Sequence, residues 1–232
     1  YNQLLTFCDQ NDIKYDICGK LIVATNNNQL SALDSIHKRG KANGLKNLKI
    51  LGKDELLEKE PYCSGLKALH VPSTGIVNYT EIAKKMNNIF LTNGGEVFLE
   101  TKVEKINKSS DVFIIETKNK SFKSKRIINC AGLYSDKITK LTNPNEDITI
   151  IPFRGEYYDI VKERRYLVNN LIYPVPDPDF PFLGVHFTRT IDDKIEAGPN
   201  AVLAFAREGY KNTNINLKEF SEIITHKGFL KI

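Results

Sequence analysis

Apolar positions change their period several times along the chain, and each change marks an element. Residues 2–10 (NQLLTFCDQ) have helical spacing, and 16–25 (DICGKLIVAT) form a nearly continuous apolar run that predicts a strand after a turn. Helical spacing returns over 28–43 and over 53–60, the second running into Pro61. The stretch GLKALHVPSTGIVNYT predicts a short strand, a Pro/Ser/Gly loop and a capped helix start at Thr80. That helix runs to about Leu91, and Asn93-Gly94-Gly95 stops it.

The next forty or so residues alternate between apolar and polar positions. EVFLETKVEKINKS, DVFIIETKN and SFKSKRIINC predict three or four strands joined by short polar turns. The last leads into RIINCAGLYSDKI (126–138), which reads as a buried strand, breaks at Cys130-Ala131-Gly132 and continues at helical spacing. After Pro144 the chain becomes strand-rich and Pro-rich, and a polar helix is predicted over roughly 216–225. No internal repeat or low-complexity segment interrupts this order.

Composition narrows the class. With 232 residues, 41% hydrophobic and 26% charged, the chain has room for one large domain or two smaller ones. No run of 18 apolar residues and no charged-then-apolar leader occurs, so a soluble, intracellular protein without a transmembrane segment is expected. The net charge of +5 comes from scattered Lys without a clustered basic face, which argues against a nucleic-acid partner. Cys8, Cys18, Cys63 and Cys130 lack C-x-x-C spacing and are not paired with His at ligand intervals, so no metal site is expected and free thiols are. The chain opens at Tyr1 and its one methionine is Met86, so it reads as a piece of a longer polypeptide. Lys outnumbers Arg 26 to 7, which singles out the remaining arginines, because Lys is a poor substitute in a bidentate carboxylate clamp.

Several stretches could carry chemistry. Small residues at the 130–132 crossing let a ligand approach the backbone, and the amides at a helix N-terminus favour a phosphate; small residues also let a helix pack closely on a sheet. None of the 14 glycines forms a G-x-G pair, so G-x-G-x-x-G and the P-loop are both absent, and a bound dinucleotide would need its main phosphate loop from outside this chain. In FRGEYY, Arg154 lies between strand-like segments, where it could reach a cavity or lie on the surface of a hairpin; Gly155 would let the backbone bend. In LGVHFTR, alternation groups Gly184, His186 and Thr188 on one face and Leu183, Val185, Phe187 and Arg189 on the other. His186 then has small neighbours that leave room for a ligand, although a lone strand histidine is more often a hydrogen-bonded structural residue. Tyr173 precedes Pro174 in a stiff loop that could form a pocket wall or a plain connection, and Arg207 reads as structural, paired with Glu208 or another neighbour.

FCDQNDIKYDICGKLIVAT, VPSTGIVNY, PFRGEYY and LIYPVPDPDFPFLGVHFTRTIDDKIEAGPNAVLAFAREGY occur in an order that resembles the L-2-hydroxyglutarate oxidase/dehydrogenase family of flavoproteins, within the D-amino-acid-oxidase-like group. The resemblance runs from about Phe7 to Tyr210 and is most specific from Leu171 onward. It implies an α/β (α+β) fold in which a partial FAD-binding domain is interleaved with a mixed-sheet substrate domain. The expected division is 1–15, a helix of the partial FAD domain; 16–78, substrate domain; 79–145, FAD domain; and 146–232, substrate domain. Where the family tends to have Asp-Gly after the His/Thr/Arg strand, this chain has Asp192-Asp193, and a different turn is expected.

The resemblance also implies roles. Val103 matches a position whose backbone meets the adenine end of FAD, and Cys130, Ala131 and Gly132 match the turn beside the pyrophosphate. The implied reaction takes the hydroxyl proton and the C2 hydride from L-2-hydroxyglutarate, giving 2-oxoglutarate; a dicarboxylate needs at least two clamps and a base. Arg154 and Arg189 are the expected clamps, Tyr173 and Thr188 hydrogen-bond donors, and His186 the base or polariser. Alternation sets His186 and Arg189 on opposite faces, so a bulge or a strand end at Arg189 is needed for both to face one pocket. Without the phosphate loop the chain is expected to be inactive alone and to need a complementary N-terminal polypeptide. It would be cytoplasmic, or peripheral at the inner membrane. The alternatives are a related FAD oxidase acting on an amino acid or glycerol phosphate, and a non-catalytic dicarboxylate-binding module or remnant.

Overall fold

The computed structural model describes residues 1–180 and 182–229. Helix α1 (Asn2–Gln10) is followed by β1 (Tyr15–Asp16), β2 (Lys20–Ala24), α2 (Leu30–Ala42), β3 (Lys49–Leu51), α3 (Lys53–Lys59), β4 (Lys67–Val71), β5 (Ile76–Val77) and α4 (Tyr79–Thr92). Then come β6 (Val103–Ser109), β7 (Val112–Thr117), β8 (Ser121–Ser124), α5 (Ser135–Thr142), β9 (Phe153–Arg154) and β10 (Tyr158–Asp159). The last elements are β11 (Leu171–Pro174), β12 (His186–Arg189), β13 (Ile195–Gly198), β14 (Val202–Leu203) and α6 (Leu217–Ile224).

These elements form two compact units, residues 1–94 with 155–201 and residues 95–154 with 202–229. Residues 1–15 and 79–94 group with the first unit, and 202–229 with the second.

The first unit is built on a seven-stranded mixed sheet in the order β10-β13-β12-β11-β2-β4-β3, in which β11 and β2 run parallel and the other neighbours antiparallel. Strand β2 is an interior strand, covered on both sides of the sheet, because KLIVA is apolar on both faces. Leu21 and Val23 pack with Leu51, Leu56 and Ala68, while Ala24 and Ile22 join Leu33, Leu69 and Val71 on the other side. A third cluster, Cys8, Ile13 and Ile82, docks α1 on α4. Helix α4 is capped by Asn78, whose side chain accepts from the Thr80 amide at 3.0 Å, so the cap lies two residues before the expected start at Thr80. Gly94, at φ +82, ends the helix as Asn93-Gly94-Gly95 predicts.

In the second unit, β6, β7 and β8 form a three-stranded meander, and β9 pairs with β14. Two stretches read as strand are not strand. Residues 96–101 are irregular, and so are 126–130, where Ile128 is 86% exposed rather than buried. A strand needs a hydrogen-bonding neighbour, and 126–130 is held by a side chain instead. Asn129 donates to the Ser135 carbonyl (2.8 Å) and to Thr139 Oγ1 (3.1 Å), and accepts from the Ala131 amide (3.2 Å), fastening the segment to α5.

Candidate functional site

The first unit carries a recess of 450 Å³ over one face of the large sheet, where β2, β11 and β12 meet. Leu171 is in register with Lys20 and Tyr173 with Ile22. Ile172 faces Phe187 across the antiparallel pair, so Leu171, Tyr173, His186 and Thr188 share a face with Lys20. Lys20, Tyr173 and Thr188 line the recess, and so does the loop from Thr74 to Tyr79. That loop is held down by the Gly19 amide, which donates to the Thr74 carbonyl at 2.9 Å, and by Gly75, where a β-carbon would sit 2.7 Å from the Asp16 carbonyl oxygen. A side chain at position 75 would lift the loop off its strand.

The expected substrate residues fare differently. Arg189 is the last residue of β12, and although alternation points it away from His186, its place at the strand end puts it on the recess wall. Its guanidinium is already engaged: it donates to the Asn169 carbonyl at 3.0 Å and lies 3.7 Å from Asp16 and 3.9 Å from Asp193. His186 is buried, with its ring stacked on Tyr173 at a centroid distance of 4.0 Å and Nδ1 2.9 Å from the Gly184 carbonyl. The room expected beside it at Gly184 is filled, because a β-carbon there would meet the Pro174 ring at 2.8 Å. His186 is not among the residues lining the recess. Arg154 belongs to the second unit, where it donates to the Gly209 carbonyl at 3.0 Å and to the Asn212 side chain. Gly155 packs against Pro199, 2.8 Å from a would-be β-carbon. The Asp192-Asp193 turn keeps the shape a glycine would give: Asp193 adopts φ +59, which Asp tolerates better than most residues.

The expected cofactor positions all lie in the second unit. Val103 opens β6 beside an irregularity in its pairing with β7. Cys130 is exposed, Ala131 half-buried, and Gly132 sits at φ +52 with nothing within 4 Å of a would-be β-carbon. An open, glycine-permitted turn leading through a 3-10 turn into α5 fits close approach of a ligand to the backbone. Just past it, Asp136 and Arg207 form a buried ion pair: Arg207 Nη2 donates to Asp136 Oδ2 at 2.5 Å and Nη1 to Oδ1 at 2.8 Å, and Nη1 also donates to the Leu133 carbonyl. Burial by itself would raise the Asp136 pKa, but Arg207 and the amides of Ile150 and Lys137 outweigh it and hold the carboxyl low. Arg207 is structural, as its sequence context suggested, with Asp136 rather than Glu208 as its partner.

Three groups escaped sequence reasoning: Lys20, Asp136 and Glu60. Lys20 had a readable signal, a lone charge opening the apolar strand KLIVA. The pairing of Glu60 with the amides of Asn169 and Asn170 had none, because 109 residues separate the partners.

The family model for FAD-dependent oxidoreductases matches residues 2–226. The chain belongs to that family. Among curated members of known name, it is 51% identical to the L-2-hydroxyglutarate dehydrogenase of Indibacter alkaliphilus over 233 residues, covering 100% of this chain and 58% of that protein. It is 40% identical to the enzyme of the same name from Escherichia coli K12, covering 97% and 54%, and 41% identical to the mitochondrial one from Bos taurus, covering 97% and 51%. The chain therefore spans about half the length of these relatives. Among solved structures, the FAD-bound L-alpha-glycerophosphate oxidase of Mycoplasma pneumoniae aligns with a TM-score of 0.75 at 25% identity, over 90% of this chain and 56% of that one. Glycine oxidase from Bacillus cereus aligns at 0.70 with 18% identity over 96% and 58%, a likeness of fold. As a family member the chain has the mixed α/β architecture of these flavoproteins, and none of its described helices is long and apolar enough to cross a membrane.

Proposed function

We propose that this chain forms the central part of an FAD-dependent oxidoreductase that converts L-2-hydroxyglutarate to 2-oxoglutarate. The observation that carries the reading is 51% identity, spread over the whole chain, to a protein named for that activity. The recess supports it: cationic Lys20 and Arg189, with Tyr173 and Thr188, offer charge and hydroxyl donors to a small anion.

In this reading the second unit contributes one wall of the FAD site through Val103 and the 130–132 turn, and polypeptide outside this chain contributes the glycine-rich phosphate loop. Bound FAD would accept the hydride that leaves C2. The chain's own residues bind and orient the acid: Tyr173 and Thr188 present hydroxyls, and Arg189 closes one end of the recess. His186 packs beside the recess rather than lining it; its Nδ1 donates to the Gly184 carbonyl, and its stacked ring holds Tyr173 in place. By itself the chain is inactive.

Flavin absorbance tests this reading. Protein produced with its complementary polypeptide should be yellow and should bleach with L-2-hydroxyglutarate. Bleaching by glycerol 3-phosphate or an amino acid instead would point to a related oxidase. A colourless protein that still binds the dicarboxylate would be a binding module. Cell fractionation tests the accompanying placement in the cytoplasm or at the periphery of the inner membrane.

A further inference from the structure

We propose that Lys20 is a carboxylate-binding residue of the recess, a cation held in place to pair with one carboxylate of the dicarboxylate substrate. The proposal rests on the functional reading above for the identity of the anion, and on geometry for the residue.

Lys20 opens β2, an interior strand of the large sheet between β11 and β4, and its side chain stands on the face shared with Tyr173 and Thr188. Lys20 borders both this recess and a larger groove of 1010 Å³ alongside it. Its Nζ lies 4.9 Å from the centroid of the Tyr173 ring, and Tyr173 lines the recess but not the groove, which directs the ammonium to the recess. Among the described residues, no carboxylate forms an ion pair or hydrogen bond with it. Asp192, on the same wall, makes no ion pair with Lys20. Arg189, the other cation of the wall, is in the opposite condition, held by Asn169, Asp16 and Asp193.

A half-buried ammonium with no anionic partner is a standing cost that a bound anion removes. Burial pushes the Lys20 pKa down, as expected for a cation that has lost solvent and gained no counter-charge. Tyr173 helps to fix its position, since His186 stacks on the far side of that ring. A carboxylate in the recess would complete the set Lys20, Thr188 and the Tyr173 hydroxyl. This division of labour makes Arg189 a wall and Lys20 the clamp.

The test uses the flavin-loaded enzyme containing this chain, with Lys20→Met and Lys20→Arg. Losing one charged hydrogen bond should raise KM for L-2-hydroxyglutarate about 10- to 100-fold. The rate of flavin reduction at saturation should stay within about threefold, and Lys20→Arg should recover part of the loss. Lys20→Met should melt no lower than the parent, because it removes an unpaired desolvated charge, so a folding defect would be visible as such. An unchanged KM in Lys20→Met overturns the proposal while leaving the proposed reaction intact. If the parent enzyme does not reduce its flavin with L-2-hydroxyglutarate, the functional reading fails separately. Calorimetric titration with glutarate then decides the residue: binding to the parent that Lys20→Met loses supports it, and equal binding or none to either overturns it.

Discussion

Two regions hold a cation away from bulk water, and they treat it in opposite ways. In the second unit, Arg207 is 5% exposed and forms a two-point contact with Asp136, itself 3% exposed, so the pair is satisfied by the fold alone. In the first unit, Lys20 is half-buried beside the Tyr173 ring, and among the described residues no carboxylate pairs with it. The paired cation is part of the scaffold, and the unpaired one is an opening for something the fold does not contain. Burial alone would have ranked Arg207 as the more suspicious residue; the partner list reverses that order.

The largest effect expected from breaking this contrast is at the paired site. Asp136→Ala should leave Arg207 buried and uncompensated and destabilise the second unit by about 3–5 kcal/mol in a denaturant titration. A loss below about 1 kcal/mol would mean that the pair is not a scaffold element. Next in size is Glu60, which forms no ion pair among the described residues. Its fully buried carboxylate accepts from the Asn169 amide at 3.0 Å, from the Asn170 side chain at 2.7 Å and from the Asn170 amide, where the chain enters β11. Glu60→Gln should cost about 2 kcal/mol, since an amide group cannot accept from all of these donors. Hydrogen exchange at Asn169 and Asn170 would show the change locally.

The pH dependence sharpens the comparison further. The Asp136 pKa lies below the usual aspartate value of 3.8. Its stabilising contribution is therefore complete above that value and is lost as pH falls through the depressed folded-state pKa. Denaturation midpoints at pH 7, 4 and 3 should fall most steeply over the lowest step, and Arg207→Met should flatten that fall. The smallest effect is at Asp193, whose ion pair with Arg189 is long and whose side chain is 85% exposed. Asp193→Gly should stabilise by about 0.5–1 kcal/mol by relieving φ +59, because the exposed pair contributes almost nothing in exchange. Destabilisation by thermal melting would show that Asp193 is a real anchor of Arg189.

Much of the local structure was readable. The period of NQLLTFCDQ, the caps around 78–80 and 93–95, and the alternation of DVFIIETKN each point to the element observed, because these signals depend on neighbours within a few residues. RIINC was misread for the same reason. Its residues are good strand formers, yet strand formation is decided by a partner, and Asn129 finds its partners in α5 instead. The candidate site was half readable. Tyr173, Thr188 and Arg189 do gather at one recess, whereas His186 packs beside it and Arg154 lies in the other compact unit.

The amino-acid order by itself settles the helices, the turn glycines, the lack of a G-x-G phosphate loop within this chain and, through its quoted stretches, the family. Those properties are local or are carried by residue identity. The tertiary structure alone decides which charges are satisfied. Arg189 and Lys20 are both cations near apolar strands in sequence, but Asp16 and Asn169 reach the first and, among the described residues, no acid pairs with the second. Pairing depends on distances of a few ångströms between residues scores of positions apart, and no periodicity along the chain encodes that.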